Sequence, residues 1–176
     1  MPRNRRSYEK TRHIALSGLL FALAIVLSMA ESAITPLLGL APGVKIGLAN
    51  IVVMYAVFFM GARQALLLVV LKALFTLLTR GPVAGLLSLC GGLLSLGVMW
   101  ALYHLPHRPT WFIVSVCGAV AHNLGQLAGA SVVLSSRLAL GYAPVLLVSG
   151  LAMGGVTAAS LSALLPALEK MGYRGR

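Results

Sequence analysis

The chain has 176 residues, of which 59% are apolar and only 10% charged, and its formal net charge is +11. A soluble domain carries about 25% charged residues, so this composition excludes a water-soluble globular fold and leaves lipid as the main solvent. Fourteen Lys and Arg stand against three acidic residues, but they gather at the ends of apolar runs, where the anionic cytoplasmic leaflet accounts for them better than a nucleic acid does.

At about 20 residues per span, six spans and short loops fill the length, so the expected fold is an all-α integral membrane bundle of about six transmembrane helices. Residues 1–13, MPRNRRSYEKTRH, form a basic tail. The first apolar run, Ile14 to Ala30, is uncharged, and Glu31 is expected to end it. A basic stretch before an apolar run resembles a signal peptide, but no small-residue cleavage site follows, so this run is expected to stay as a first helix. The loop SAITPLLGLAPGV carries the breakers Pro36, Gly39, Pro42 and Gly43, and its apolar character suggests a re-entrant or interfacial segment.

The second run extends from Lys45 to Gly61. After the short turn Gly61-Ala62-Arg63, the third covers Gln64 to Thr79, contains Lys72 and ends at Arg80-Gly81-Pro82. Both are short for a full span, which suggests tilted, broken or covered helices. The fourth run is Val83 to Tyr103, followed by an interfacial loop with His104, Pro106, His107, Arg108 and Pro109. The fifth is Trp111 to Leu134, closed by Ser135, Ser136 and Arg137; the sixth is Tyr142 to Leu168, and residues 169–176 form a second basic tail. The membrane domain is thus expected over residues 14–168.

With the N-terminus in the cytoplasm, Arg3, Arg5, Arg6, Lys10, Arg12, Arg63, Arg108, Lys170, Arg174 and Arg176 fall inside, and Lys45, Arg80 and Arg137 outside. That asymmetry fits an even number of spans with both termini cytoplasmic. Trp100, Tyr103, Trp111 and Tyr142 fall near span ends, as aromatic belts do.

Small residues let helices approach closely in a bilayer. Ala15, Gly18 and Ala22 share a face of the first helix; Gly118, Gly125 and Gly129 share one of the fifth; Gly150 and Gly154 continue the pattern in the sixth. Internal packing is the ordinary use of such faces. The sharper use, for the first helix, is docking a separate partner.

Polar groups at membrane depth are costly and need a reason. Lys72, in VVLKALF, costs about 2.5–3.5 kcal/mol on insertion scales and should face a cavity, pair with a carboxylate, bind an anion, or snorkel from a tilted helix. His122, Asn123 and Gln126 lie in GAVAHNLGQLAGA beside glycines, which leave room for a ligand or for interhelical hydrogen bonds. Glu31, Lys45 and Asn50 flank the first loop. Glu31 and Lys45 are expected on the same outer side, to pair with each other or to let Lys45 join Arg80 in attracting an anion. Ser88 and Gly91-Gly92 sit inside the fourth run, to admit a ligand or to bend the helix.

The chain contains no aspartate, and Glu9, Glu31 and Glu169 are far apart. No carboxylate cluster is therefore available to hold magnesium for diphosphate chemistry, and no GxxxxGK[ST], GxSxG or HExxH motif occurs. No catalytic residue, metal site or cofactor is expected. Cys90 and Cys117 lie in apolar runs without metal-binding spacing and are expected to act as small buried hydrophobes.

The runs IALSGLLFALAIVLSMAES, PGVKIGLANIVV, GPVAGLLSLCGGLLS and GAVAHNLGQL resemble the bacterial Gx transporter family, also labelled heptaprenyl diphosphate synthase component I, over about residues 10 to 168. That family in turn resembles the substrate-binding S components of energy-coupling factor (ECF) transporters, six-helix proteins of the bacterial cell membrane that bind a nutrient outside while a coupling protein and two ATPases drive its import. The resemblance implies a membrane-embedded substrate-binding subunit. Its site would be built from Lys45, Asn50, Lys72, Arg80, His122, Asn123 and Gln126, for a small, anionic or hydrogen-bonding metabolite. Its docking face would use Ala15, Gly18, Ala22 and Ala24. The synthase label suggests an alternative, a non-catalytic membrane subunit of heptaprenyl diphosphate or quinone biosynthesis, and relatives linked to flavin and quinone chemistry add a membrane electron-transfer role.

Overall fold

The computed structural model describes residues 3–37, 47–107, 109–134, 141 and 143–170, and among these every long element is helical. α1 runs Arg3–Leu37. α2, Leu48–Tyr55, passes directly into a π-helical turn, Ala56–Met60. α3 is Ala62–Arg80, α4 Pro82–Tyr103, α5 Trp111–Leu134 and α6 Ala143–Lys170. Lys45, Arg108, Arg137 and Tyr142 lie outside the described residues.

Five helices hold segments long and apolar enough to cross a bilayer: Ile14–Thr35, Ala62–Arg80, Pro82–Tyr103, Trp111–Val133 and Ala143–Ser160. Their outer faces carry bare apolar side chains such as Leu19, Leu78, Val132 and Val148. The chain is a multi-pass membrane protein. The apolar stretch Leu48–Met60 is shorter, about 20 Å at 1.5 Å per residue against a hydrocarbon layer of about 30 Å. Every residue from Val52 to Phe58 is buried, so neighbouring helices, not lipid, cover this segment.

Glu31 does not end the first helix. α1 continues through it to Leu37, and the carboxyl finds a partner inside the protein rather than at a helix end.

Single glycines make the turns between α2, α3 and α4. Gly61 and Gly81 have φ of 99° and 89°, a backbone conformation closed to most side chains; each sits between consecutive helices, so α2, α3 and α4 alternate in direction. Pro82 then opens α4 at a position where its missing N–H costs nothing.

The tightest packing is between α4, α5 and α6, and glycine permits it. A Cβ on Gly125 would lie 2.6 Å from the Cys90 carbonyl oxygen, and one on Gly154 2.6 Å from the Val116 Cα. Backbones therefore touch at these crossings, which is how helices associate where lipid removes the hydrophobic drive. Two hydrogen bonds add to the α5–α6 contact: Ser115 Oγ donates to the Gly154 carbonyl at 2.8 Å, and Asn123 Nδ2 to the Leu146 carbonyl at 2.8 Å. By contrast α1 packs chiefly on α2 and α3 and leaves much of its surface bare.

Candidate functional site

Two ends of the bundle differ in chemistry. At the end where α2 meets α3 and α4 meets α5, aromatic rings close the interior. Phe58 packs edge-on against Trp111 at 4.5 Å and against Tyr103 at 5.2 Å, and Tyr55 stacks on Phe59 at 4.8 Å. Met99 and Val114 fill the space behind them.

The other half, toward the C-terminus of α1, holds a polar chamber. Its walls are Glu31 from α1, Gly47 and Asn50 at the start of α2, Lys72 from α3, Ala119, His122 and Asn123 from α5, and Gly150, Met153 and Thr157 from α6. Five helices thus each deliver at least one polar side chain or bare backbone to one place. Glu31 is 6% exposed, His122 4% and Asn123 5%.

Sequence explains each placement locally. Gly47 takes φ 81° at the start of α2, and its N–H donates to Glu31 Oε1 at 2.8 Å; Glu31 thereby ties α1 to the entry of α2. The Lys72 Nζ donates to Asn50 Oδ1 at 3.2 Å, which holds the ammonium in the chamber wall between α2 and α3. Asn123 uses Nδ2 on the Leu146 carbonyl and on Ser149 Oγ at 3.3 Å, which fixes its amide in the wall between α5 and α6. Behind Lys72 and Asn50 a second, smaller space reaches Ser88, Gly92 and Ser95 of α4, so the same two side chains form the partition between two polar compartments.

The chamber is narrow. Its free volume is about 20 Å³, room for one or two waters, and the space behind the partition is about 10 Å³. A metabolite would need the helices to part.

Four of the seven residues expected at a binding site from sequence, Asn50, Lys72, His122 and Asn123, meet in the chamber. Gln126 does not line it: its Cγ would lie 2.7 Å from a Cβ on Gly91, so it is packed against α4. Arg80 lies elsewhere, in a groove between α1 and α3, where its Nη2 donates to the Ser28 carbonyl at 3.3 Å and to Ser32 Oγ. Sequence reasoning left Glu31 at a helix end and did not single out Thr157, which in GGVTAAS reads as one of two small hydroxyls, with Ser160, among small residues. On α1, Ala15, Gly18 and Ala22 are exposed, and nothing lies within 4 Å of a Cβ built on Gly18. Ala24, 1% exposed, faces the core instead. Among the described residues no three His, Cys, Asp or Glu side chains gather as a metal site would require.

Comparison with curated proteins and with solved structures gave no match. A family profile matches residues 20–164, a stretch that contains every residue of the chamber. On that match the chain belongs to the heptaprenyl diphosphate synthase component I family.

Proposed function

We propose that this protein is a solute-binding membrane subunit, akin to the S component of an ECF importer, that captures a small polar metabolite in the chamber and relies on partner subunits for energy. The observation that carries the reading is the convergence of Glu31, Asn50, Lys72, His122, Asn123 and Thr157 from five helices on one narrow pocket. Buried polar groups are expensive in a bilayer, and gathering them from so many elements is the pattern of a binding site. The aromatic closure at the opposite end supports capture from one side rather than a continuous channel. Because Glu31 stands in the wall with Lys72, the chamber suits a solute with both donors and acceptors better than a simple anion.

On this reading the positive-inside pattern puts the chamber toward the outer face of the bacterial cell membrane, with the termini in the cytoplasm. The exposed Ala15, Gly18 and Ala22 face serves a transmembrane coupling protein, and the missing nucleotide motif reflects ATPases supplied in trans. The seven basic and amide residues named from sequence then divide in role: Asn50, Lys72, His122 and Asn123 touch solute, while Gln126 supports the fold, Arg80 acts in its own groove, and Lys45 stands in the segment joining α1 to Gly47.

Native mass spectrometry of gently extracted protein, followed by titration of whatever it retains, tests this. A retained solute whose affinity falls at least about tenfold in Lys72→Ala supports it. Protein that retains nothing, and binds no member of a broad metabolite panel, overturns it.

The family description favours a second reading, a non-catalytic membrane component that works with a soluble prenyl diphosphate synthase. Assaying that synthase with and without this chain in membranes separates the two; unchanged product length and rate would remove the second.

A further inference from the structure

Arg80 stands apart from the chamber, and its surroundings have a chemistry of their own. It is the last residue of α3, at the end of a membrane-spanning segment, the depth at which lipid headgroups lie. Its guanidinium reaches across to α1 and bonds the Ser28 carbonyl and Ser32 Oγ through Nη2. An arginine has five N–H donors in a planar fork, and among the described residues only Nη2 is engaged, which leaves the three N–H groups of Nε and Nη1 for a ligand.

The groove between α1 and α3 around this guanidinium is about 350 Å³, within the 300–1,000 Å³ typical of ligand sites and far larger than the chamber. Its lining is amphiphilic along its length. Arg80, Ser32 and Thr79 stand toward the membrane edge, and Met29, Ala33 and Phe75 supply apolar wall. Three of the four lining hydroxyls already donate to backbone: Ser32 Oγ to the Ser28 carbonyl at 2.7 Å, Thr76 Oγ1 to the Lys72 carbonyl at 2.8 Å and Thr79 Oγ1 to the Phe75 carbonyl at 2.8 Å. Arg80 is the charged donor of the groove, and among the described residues no acidic side chain lines it.

We propose that this groove holds a phosphodiester-headed membrane lipid, its phosphate on Arg80 and an acyl chain along Phe75 and Met29. Guanidinium matches phosphate geometrically through paired N–H donors, and the groove that Arg80 lines also has a hydrocarbon-compatible wall. Charge selects the phosphodiester. One guanidinium balances its single negative charge, whereas an isoprenyl diphosphate would bring further negative charges that no other cation among the described residues of the groove lining meets. The site is separate from the solute chamber and stands or falls independently of it.

Delipidated protein, examined by native mass spectrometry, tests this with four probes: dioleoyl phosphatidylglycerol, the matching diacylglycerol without phosphate, inorganic phosphate without a tail, and farnesyl diphosphate. The expected result is one phosphatidylglycerol retained per chain, with the other three retained weakly or not at all. Arg80→Gln should lower its occupancy about tenfold, the loss expected when hydrogen bonds to a charged group are removed, and Arg80→Lys should lower it less. Ala33→Trp, which fills the groove while leaving Arg80 in place, should also expel the lipid, and it decides the matter should Arg80→Gln not fold. Arg63→Gln, at the opposite end of α3, should change nothing. Equal retention in Ala33→Trp and wild type, diacylglycerol matching phosphatidylglycerol, or farnesyl diphosphate displacing it would overturn the proposal.

Discussion

Glu31 and Lys72 illustrate how a residue's role depends on what the fold brings to it. Glu31 reads in sequence as the stop at the end of an apolar run, but in the fold it accepts a hydrogen bond from the Gly47 N–H and stands in the chamber wall with Lys72. Two functions are then separable by substitution. Glu31→Ala removes the acceptor and should lower stability in detergent by about 1.5–3 kcal/mol, the value of a hydrogen bond to a charged group. Glu31→Gln keeps an acceptor oxygen and should melt close to wild type, yet should weaken solute binding if the carboxyl faces the ligand. Thermal melts and titrations on the pair check this; a Gln variant as unstable as the Ala variant would show that the charge serves the fold. Lys72→Ala should cost binding about tenfold or more, whereas Arg63→Gln should leave affinity unchanged. Lys72 was legible in sequence because an ammonium in mid-span has few explanations. Glu31 and Thr157 were not, because one lies near a run's end and the other is a small hydroxyl that helices often tolerate, and only the fold reveals what stands opposite.

At the level of helices, the existence and order of the elements were readable from apolar runs and breakers: each of the six runs forms a helix, five of them long enough to cross a bilayer. Their edges were less so. α1 passes through Glu31 to Leu37 because a single carboxyl with an internal partner does not stop a helix. The second run is shorter than a span, as its length suggested, and carries a π turn that periodicity did not foretell. The glycine faces were legible as packing surfaces, and the structure supplies their counterparts: Gly125 against Cys90 and Gly91, Gly150 and Gly154 against Val120 and Val116. This makes a graded prediction. Gly125→Ala places a methyl group against backbone atoms that cannot yield and should destabilise the protein by about 1–3 kcal/mol, as overpacking does. Gly97→Ala, with nothing within 4 Å of its new Cβ, should be neutral or stabilising by up to about 1 kcal/mol through helix propensity. Melting both variants in one detergent decides it, and equal losses would mean that the α4–α5 crossing is not a close one.

For the whole molecule, composition alone announced the membrane, and the resemblance of four segments to the heptaprenyl diphosphate synthase component I family holds over residues 20–164. What a single chain cannot encode visibly is how it works with others. Its architecture is uneven: α4, α5 and α6 lock together through glycine contacts, while α1 packs chiefly on α2 and α3 and keeps a bare face. The chamber is walled partly by that less extensively packed helix, so on the proposed reading a partner bound to the outer face of α1 would act beside the solute site. Gly18 and Ala22 lie on that face, both exposed, and a Cβ on Gly18 meets nothing, so leucine at both positions should be accommodated without disturbing the fold. In a strain co-expressing this chain with a coupling protein and its ATPases, Gly18→Leu/Ala22→Leu should abolish their co-purification and uptake of the solute while leaving the melt and the chamber's affinity unaltered. Retained co-purification with intact uptake would place the docking surface elsewhere; lost affinity would show instead that the α1 face serves the chamber directly and that the two halves of the molecule are not separable.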